Sequence, residues 1–156
     1  MRLYMKQRVF SWTDQFCVYN EQGGVAYTAH GEGFSFGKRL HLRDWRDYEC
    51  AFIQQKVLSL YPRYFVYQEG QQVAEIVQQF SLFRPNYFVR GLGWSIRGDL
   101  FAHEFEIDNG VSTIVRVYKD WFSWGDAYAI DIDPYVDEPV ALAVVLAIDA
   151  MIEDRG

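Results

Sequence analysis

Val140-Ala141-Leu142-Ala143-Val144-Val145-Leu146-Ala147-Ile148-Asp149-Ala150-Met151-Ile152 carries one charge, Asp149, in an otherwise apolar run. A helix over this stretch has no wet face, so every side of it has to be covered by protein. It is too short to cross a bilayer, which takes roughly 20 apolar residues. The segment therefore reads as a core helix over about residues 139–153, with no transmembrane span. Pro139 suits the first helical position, and Asp137 and Glu138 suit the positive end of the helix dipole.

What surrounds such a helix is written upstream of it. An apolar-Ser-apolar triplet recurs at Phe10-Ser11-Trp12, Phe34-Ser35-Phe36, Leu58-Ser59-Leu60, Phe80-Ser81-Leu82 and Phe122-Ser123-Trp124. A degenerate copy, Phe101-Ala102-His103, divides the long last interval, so the chain reads as six hairpin-sized repeats. Turn signals fall at 20–24, 44–47, 69–70, 90–91 and 108–110, rich in Gly, Asn and Asp. Between them the pattern alternates: Leu40 and Leu42 oppose Arg39, His41 and Arg43, and Phe105 and Ile107 oppose Glu104, Glu106 and Asp108. Trp94 and Ile96 oppose Ser95 and Arg97 in the same way. Period two with one apolar face means antiparallel strands with one side wet. About twelve such strands solve their edge problem best by closing into a barrel. A barrel that wide is too large for its own wall side chains to fill, and the apolar helix supplies the filling. The expected fold is all-β with one buried helix: a closed antiparallel barrel of about twelve strands around a central C-terminal hydrophobic α-helix. Residues 1–156 are expected to form one domain.

Composition limits the functions available. Net charge is −6, with 50% hydrophobic and 18% aromatic residues. A negative chain has no surplus cations for phosphates, which argues against a general nucleic-acid binder. The charge is uneven: residues 1–119 hold 14 basic and 12 acidic side chains, whereas 120–156 hold one basic and nine acidic. A basic patch thus belongs to the repeats and a cation site to the C-terminal third. The N-terminal residues lack the apolar run of a secretory signal. Cys17 and Cys50 lack CxxC spacing and read as buried, reduced and inert thiols of a cytoplasmic protein. The aromatic excess reads mainly as filling between barrel wall and helix.

The repeats, the block Trp121-Phe122-Ser123-Trp124-Gly125-Asp126-Ala127-Tyr128-Ala129-Ile130-Asp131-Ile132 and the terminal apolar helix resemble the LURP-one-related family, including its small bacterial members. The likeness covers essentially the whole chain. It implies kinship in fold with Tubby C-terminal domains and phospholipid scramblases, that is, a closed barrel around a hydrophobic helix. It implies little about function, because the bacterial members have no settled biochemical role.

Two candidate sites follow. Asp126, Asp131, Asp133, Asp137 and Glu138 form an acidic stretch of the kind that hard cations such as calcium favour. The scramblase likeness points the same way, since an acidic segment leading into the terminal helix is proposed there to bind calcium. Asp126, Asp133 and Asp137 fall at comparable positions, but the family's Asp-Asn-Phe-Gly run is Asp126-Ala127-Tyr128-Ala129 here, which removes a polar ligand. The plainer reading is a turn and helix start carrying solvated carboxylates. The second candidate is an anionic-lipid patch, suggested by the way Tubby domains bind phosphoinositide head groups. The basic residues that could serve are Lys38, Arg39, Arg43, Arg46, Lys56 and Arg63, with Arg84 on a later repeat. The plainer reading is that outward strand positions are charged for solubility.

No catalytic constellation emerges. His30, His41 and His103 lack metal-ligand spacing, and His41 alternates outward with Arg39 and Arg43. Gly31-Glu32-Gly33 is too short for a dinucleotide fingerprint, and no Gly-x-Ser-x-Gly elbow occurs. The recurrent serines follow the repeat, as small hydroxyls at strand bends. The expectation is a non-enzymatic cytoplasmic binding or scaffold module, peripheral at the anionic inner membrane face. The alternatives are a calcium-responsive module using the 126–138 loop and a module that binds a protein partner.

Overall fold

The structure, a computed structural model, describes residues 1–6, 15–32, 36–79, 86–120 and 127–155. Strands β1 (Arg2–Lys6), β2 (Gln15–Tyr19), β3 (Val25–Gly31) and β4 (Arg39–Asp44) are followed by β5 (Glu49–Gln55), β6 (Arg63–Gln68), β7 (Gln71–Gln79) and β8 (Asn86–Arg90). The series continues with β9 (Trp94–Asp99), β10 (Glu104–Asp108), β11 (Thr113–Asp120) and β12 (Ala127–Ile132), and ends in helix α1 (Glu138–Arg155). Every strand pairs antiparallel with its sequence neighbours, and β1 closes the barrel against β12 through Leu3 opposite Ile130. Closure leaves no sheet edge, as the alternation and the repeat number predicted.

Inward positions are those the period-two reading assigned. Leu40, Leu42, Phe105, Ile107, Trp94 and Ile96 are buried against the helix. The helix itself is buried from Val140 through Met151, Asp149 included. It begins one residue earlier than expected: Asp137 caps it, Glu138 takes the first helical position and Pro139 the second. Gly98 on β9 shows how tight the wall is. Its φ is +120° and a Cβ there would meet the Glu104 carbonyl oxygen at 2.6 Å, so only glycine fits.

Because consecutive strands reverse direction, the connections sort strictly to the two barrel ends. The turns at 20–24, 45–48, 69–70, 91–93 and 109–112 share one end with the start of α1. The β3–β4, β5–β6 and β9–β10 connections share the other end with the helix C-terminus. There His103, in the β9–β10 turn, bonds through Nε2 to Asp149 Oδ1 at 3.0 Å. That contact places the one charge of the apolar run 140–152 at the far mouth, as its position in the run suggested.

Three expectations need correction or narrowing. Of the five triplets only Leu58-Ser59-Leu60 lies wholly within the described residues, and it occupies a connection outside any strand. Cys17 is half-buried on the outer face of β2; only Cys50 is in the core. The aromatic residues serve both faces. Phe16, Tyr27, Tyr64, Tyr87, Trp94 and Phe105 pack inward, whereas Phe52, Phe65 and Tyr67 form an outer row with ring centroids 5.9 and 6.4 Å apart.

Candidate functional site

With α1 occupying the lumen, a ligand has to be met on the outer surface or at the two ends. The densest basic run in the sequence does not stay together. Arg39 and Arg43 lie on one strand, roughly 13 Å apart along its axis at about 3.3 Å per residue. Arg43 and Arg46 go to the end where the helix starts. There Arg43 lies 3.8 Å from Asp47, and the Arg46 guanidinium stands over the Trp45 ring at 5.0 Å. The carboxylates of that end include Asp44, Asp47, Glu69, Asp108, Asp133 and Asp137.

Lys38, Lys56 and Arg63 gather at the opposite end, with Arg39 beside them. The backbones are stitched there: Gln55 N–H donates to the Lys38 carbonyl at 2.8 Å, and Lys56 N–H donates to that of Arg63 at 2.8 Å. Arg63 bonds Glu75 at 3.2 Å, and Arg39 bonds Glu32 at 3.4 Å while its guanidinium covers the Phe52 ring at 5.5 Å. Lys56 is exposed. Arg84 lies outside the described residues.

The connections that carry these lysines have apolar tips. Leu58 is 95% exposed, Leu60 89% and Phe36 75%. Gly37, at φ +85°, lets the two connections touch, because a Cβ there would sit 2.8 Å from a Val57 methyl. The described residues 36–38 and 56–62 contain no carboxylate.

Beside this end, the outer wall of β4 and β5 forms a groove of about 510 Å³ lined by Glu32, Arg39, His41, Glu49, Phe52 and Tyr67. His41 points outward as predicted, and its ring is held between two carboxylates, Nε2 to Glu32 at 2.8 Å and Nδ1 to Glu49. The hydrogen bond from His41 holds the Glu32 carboxyl below the usual range, with the Arg39 charge reinforcing it.

The described members of the acidic stretch go to separate partners. Asp131 accepts from Arg2 Nε at 2.6 Å and from the Tyr118 hydroxyl at 3.2 Å. Asp133 accepts from the Tyr135 N–H at 2.8 Å within its own turn, and Asp137 caps the helix. Glu138 accepts from the Tyr27 hydroxyl at 2.7 Å, and burial together with that bond pushes the Tyr27 phenol up. Asp126 lies outside the described residues. Among the described residues no three His, Cys, Asp or Glu side chains are grouped to hold a metal ion. The calcium expectation meets carboxylates that each have structural work, pointing to separate partners because β12 alternates faces before the chain turns into the helix.

The family model described as LURP-one-related matches residues 1–149. The chain belongs to the LURP-one-related family. It is 32% identical over 152 residues to a Bacillus subtilis protein named "Uncharacterized protein YxjI", covering 97% of this chain and 94% of that one. Its fold is similar to the X-ray structure of an Arabidopsis thaliana protein, with a TM-score of 0.65 at 13% identity, covering 96% and 91% of the two chains. The architecture the resemblance implied is thus the architecture found. Among the described residues, no helix of this LURP-one-related barrel is long and apolar enough to cross a membrane.

Sequence reasoning missed Phe36, Leu58 and Leu60 as surface features, because the triplet repeat made them look like strand text. The signal was present: Lys56-Val57-Leu58-Ser59-Leu60-Tyr61-Pro62-Arg63 holds the proline that ends pairing, and two basic residues bracket it. The pairing of His41 with Glu32 and Glu49 was also missed, since it depends on the register of β4 with its neighbours.

Proposed function

We propose that this chain is a non-enzymatic binding module that docks peripherally on anionic phospholipid surfaces through the basic residues at the helix C-terminal end of β4–β6. The observation that carries this reading is the gathering of Lys38, Lys56 and Arg63 at one barrel end, while Asp44, Asp47, Glu69 and Asp137 lie at the other. Docked by this end, Lys38 and Lys56 meet the negative surface and the carboxylates around the helix start are kept away from it. The filled lumen favours surface recognition over a ligand enclosed in the barrel.

Vesicle co-flotation tests it. The protein is expected to float with phosphatidylcholine vesicles containing phosphatidylserine, weakly with phosphatidylcholine alone, and less as salt rises. A basic side chain near such a surface contributes about 1 kcal/mol, so Lys38→Gln with Lys56→Gln lowers partitioning about thirty-fold. Equal flotation on neutral and anionic vesicles would overturn the reading.

A further inference from the structure

We infer that Leu58 and Leu60, with Phe36 beside them, form an apolar wedge that enters the head-group and acyl boundary of an anionic bilayer, so that the barrel docks end-on. The inference rests on the proposed membrane reading and adds to it the contact surface, the orientation and a salt-resistant component.

Three independent observations carry it. Leu58 and Leu60 are 95% and 89% exposed, so in the barrel they bury almost nothing. Leu58 also has φ 58°, in the left-handed region that costs a branched residue and is relieved in glycine or asparagine. A leucine that is both strained and unpacked gives the fold nothing, and such strain points to use at a surface. The second observation is the fixed proximity of the β3–β4 and β5–β6 connections. Gly37 seated on Val57 and the Gln55–Lys38 hydrogen bond hold Phe36 on a neighbouring support, so the apolar tips share one end.

The third is charge. Lys38 and Lys56 flank the tips and Arg63 follows them, residues 36–38 and 56–62 contain no carboxylate, and Glu32, the carboxylate described in the β3–β4 connection, is held by Arg39 and His41. Lysine stems can lie along apolar acyl surface while the ammonium reaches lipid phosphate, which is the arrangement an interfacial wedge needs. An apolar protein partner would be matched as well by neutral polar flanks; the lysines and the acid-rich opposite end favour an anionic bilayer. Docked this way, α1 stands along the membrane normal with its C-terminus nearest the lipid, and the turns at 45–48 and 69–70 face the solvent.

The test is flotation of the full chain and of Leu58→Ser/Leu60→Ser on phosphatidylserine-containing vesicles, at low and high salt. The double variant should melt at the same temperature as the parent, since the two side chains pack against nothing. Its partitioning should fall at least tenfold, with the salt-resistant fraction lost. Leu60→Trp should add a blue-shifted emission on these vesicles that the parent lacks. Parent and double variant floating equally would overturn the wedge and leave the electrostatic reading standing. A parent that fails to float under any condition would overturn both.

Discussion

Glu106, on the outer face of β10, receives the Arg116 Nε–H at 2.9 Å and the Arg97 Nη2–H at 3.0 Å. The bond from Arg116, followed by that from Arg97, holds its carboxyl below the ordinary value near 4.5. A depressed carboxylate stabilises the fold wherever it is ionised in both states. Its contribution is complete above about pH 4.5 and fades as pH falls below that value toward the folded-state value. Both arginines are largely exposed, so solvent screening keeps the effect under about 1 kcal/mol. Glu106→Gln is expected to lower the neutral plateau of a melting-temperature profile slightly and to converge on the parent as pH falls toward about 3, which makes its acid limb flatter. A variant profile parallel to the parent at every pH would remove this pair from the acid response. Cys50 is the opposite case: burial pushes its thiol up to about 12, and it donates to the Leu42 carbonyl, so it is a structural residue.

At the scale of elements, α1 depends on its first turn more than its composition suggests. Asp137 Oδ1 accepts from the Val140 N–H at 3.1 Å, its carbonyl accepts from the Ala141 N–H at 2.9 Å, and Gln68 Nε2 donates to Oδ2 at 3.3 Å. These bonds tie the helix start to β6 and satisfy donors that would otherwise face an apolar mouth. Asp137→Ala is expected to cost about 1–2 kcal/mol in urea denaturation, with an unchanged slope. A loss within error of zero would mean water caps the helix equally well. The same residue is one of the acidic stretch that suggested calcium, and its capping geometry accounts for an aspartate there without a cation. The strands were legible from their alternation, β4 and β10 most plainly, because each side chain's face follows from its parity.

For the molecule as a whole, a barrel closed around an apolar helix has no low-cost way to expose that helix. Val140–Met151 contacts the wall throughout, and opening would bring large side chains such as Leu142, Leu146 and Ile148 into water together. End-on docking requires no such opening. Amides of residues 140–151 are therefore expected to exchange as slowly as any in the protein, and equally slowly with anionic vesicles present. Faster exchange on vesicles would show that the barrel opens there and would replace the peripheral picture with an insertion one. The two ends of the molecule differ in charge because the connections alternate: Asp44, Asp47, Glu69, Asp108, Asp133 and Asp137 gather where the helix starts, and Lys38, Lys56 and Arg63 lie at the other end.

By itself the sequence determined the architecture. One-sided strands and an all-apolar helix are local patterns, and six hairpin units with no tolerable edge leave closure around that helix as the economical packing. It also determined which face each β4 and β10 side chain takes. Tertiary structure alone decided the site. The extended run of β4 sends Arg39 and Arg43, near neighbours in the chain, toward opposite ends, and the reversals between strands bring Lys38, Lys56 and Arg63 to one end from two connections. It likewise decided that Leu58 and Leu60 face solvent, because burial is a property of what surrounds a residue, and the chain's own pattern does not state it.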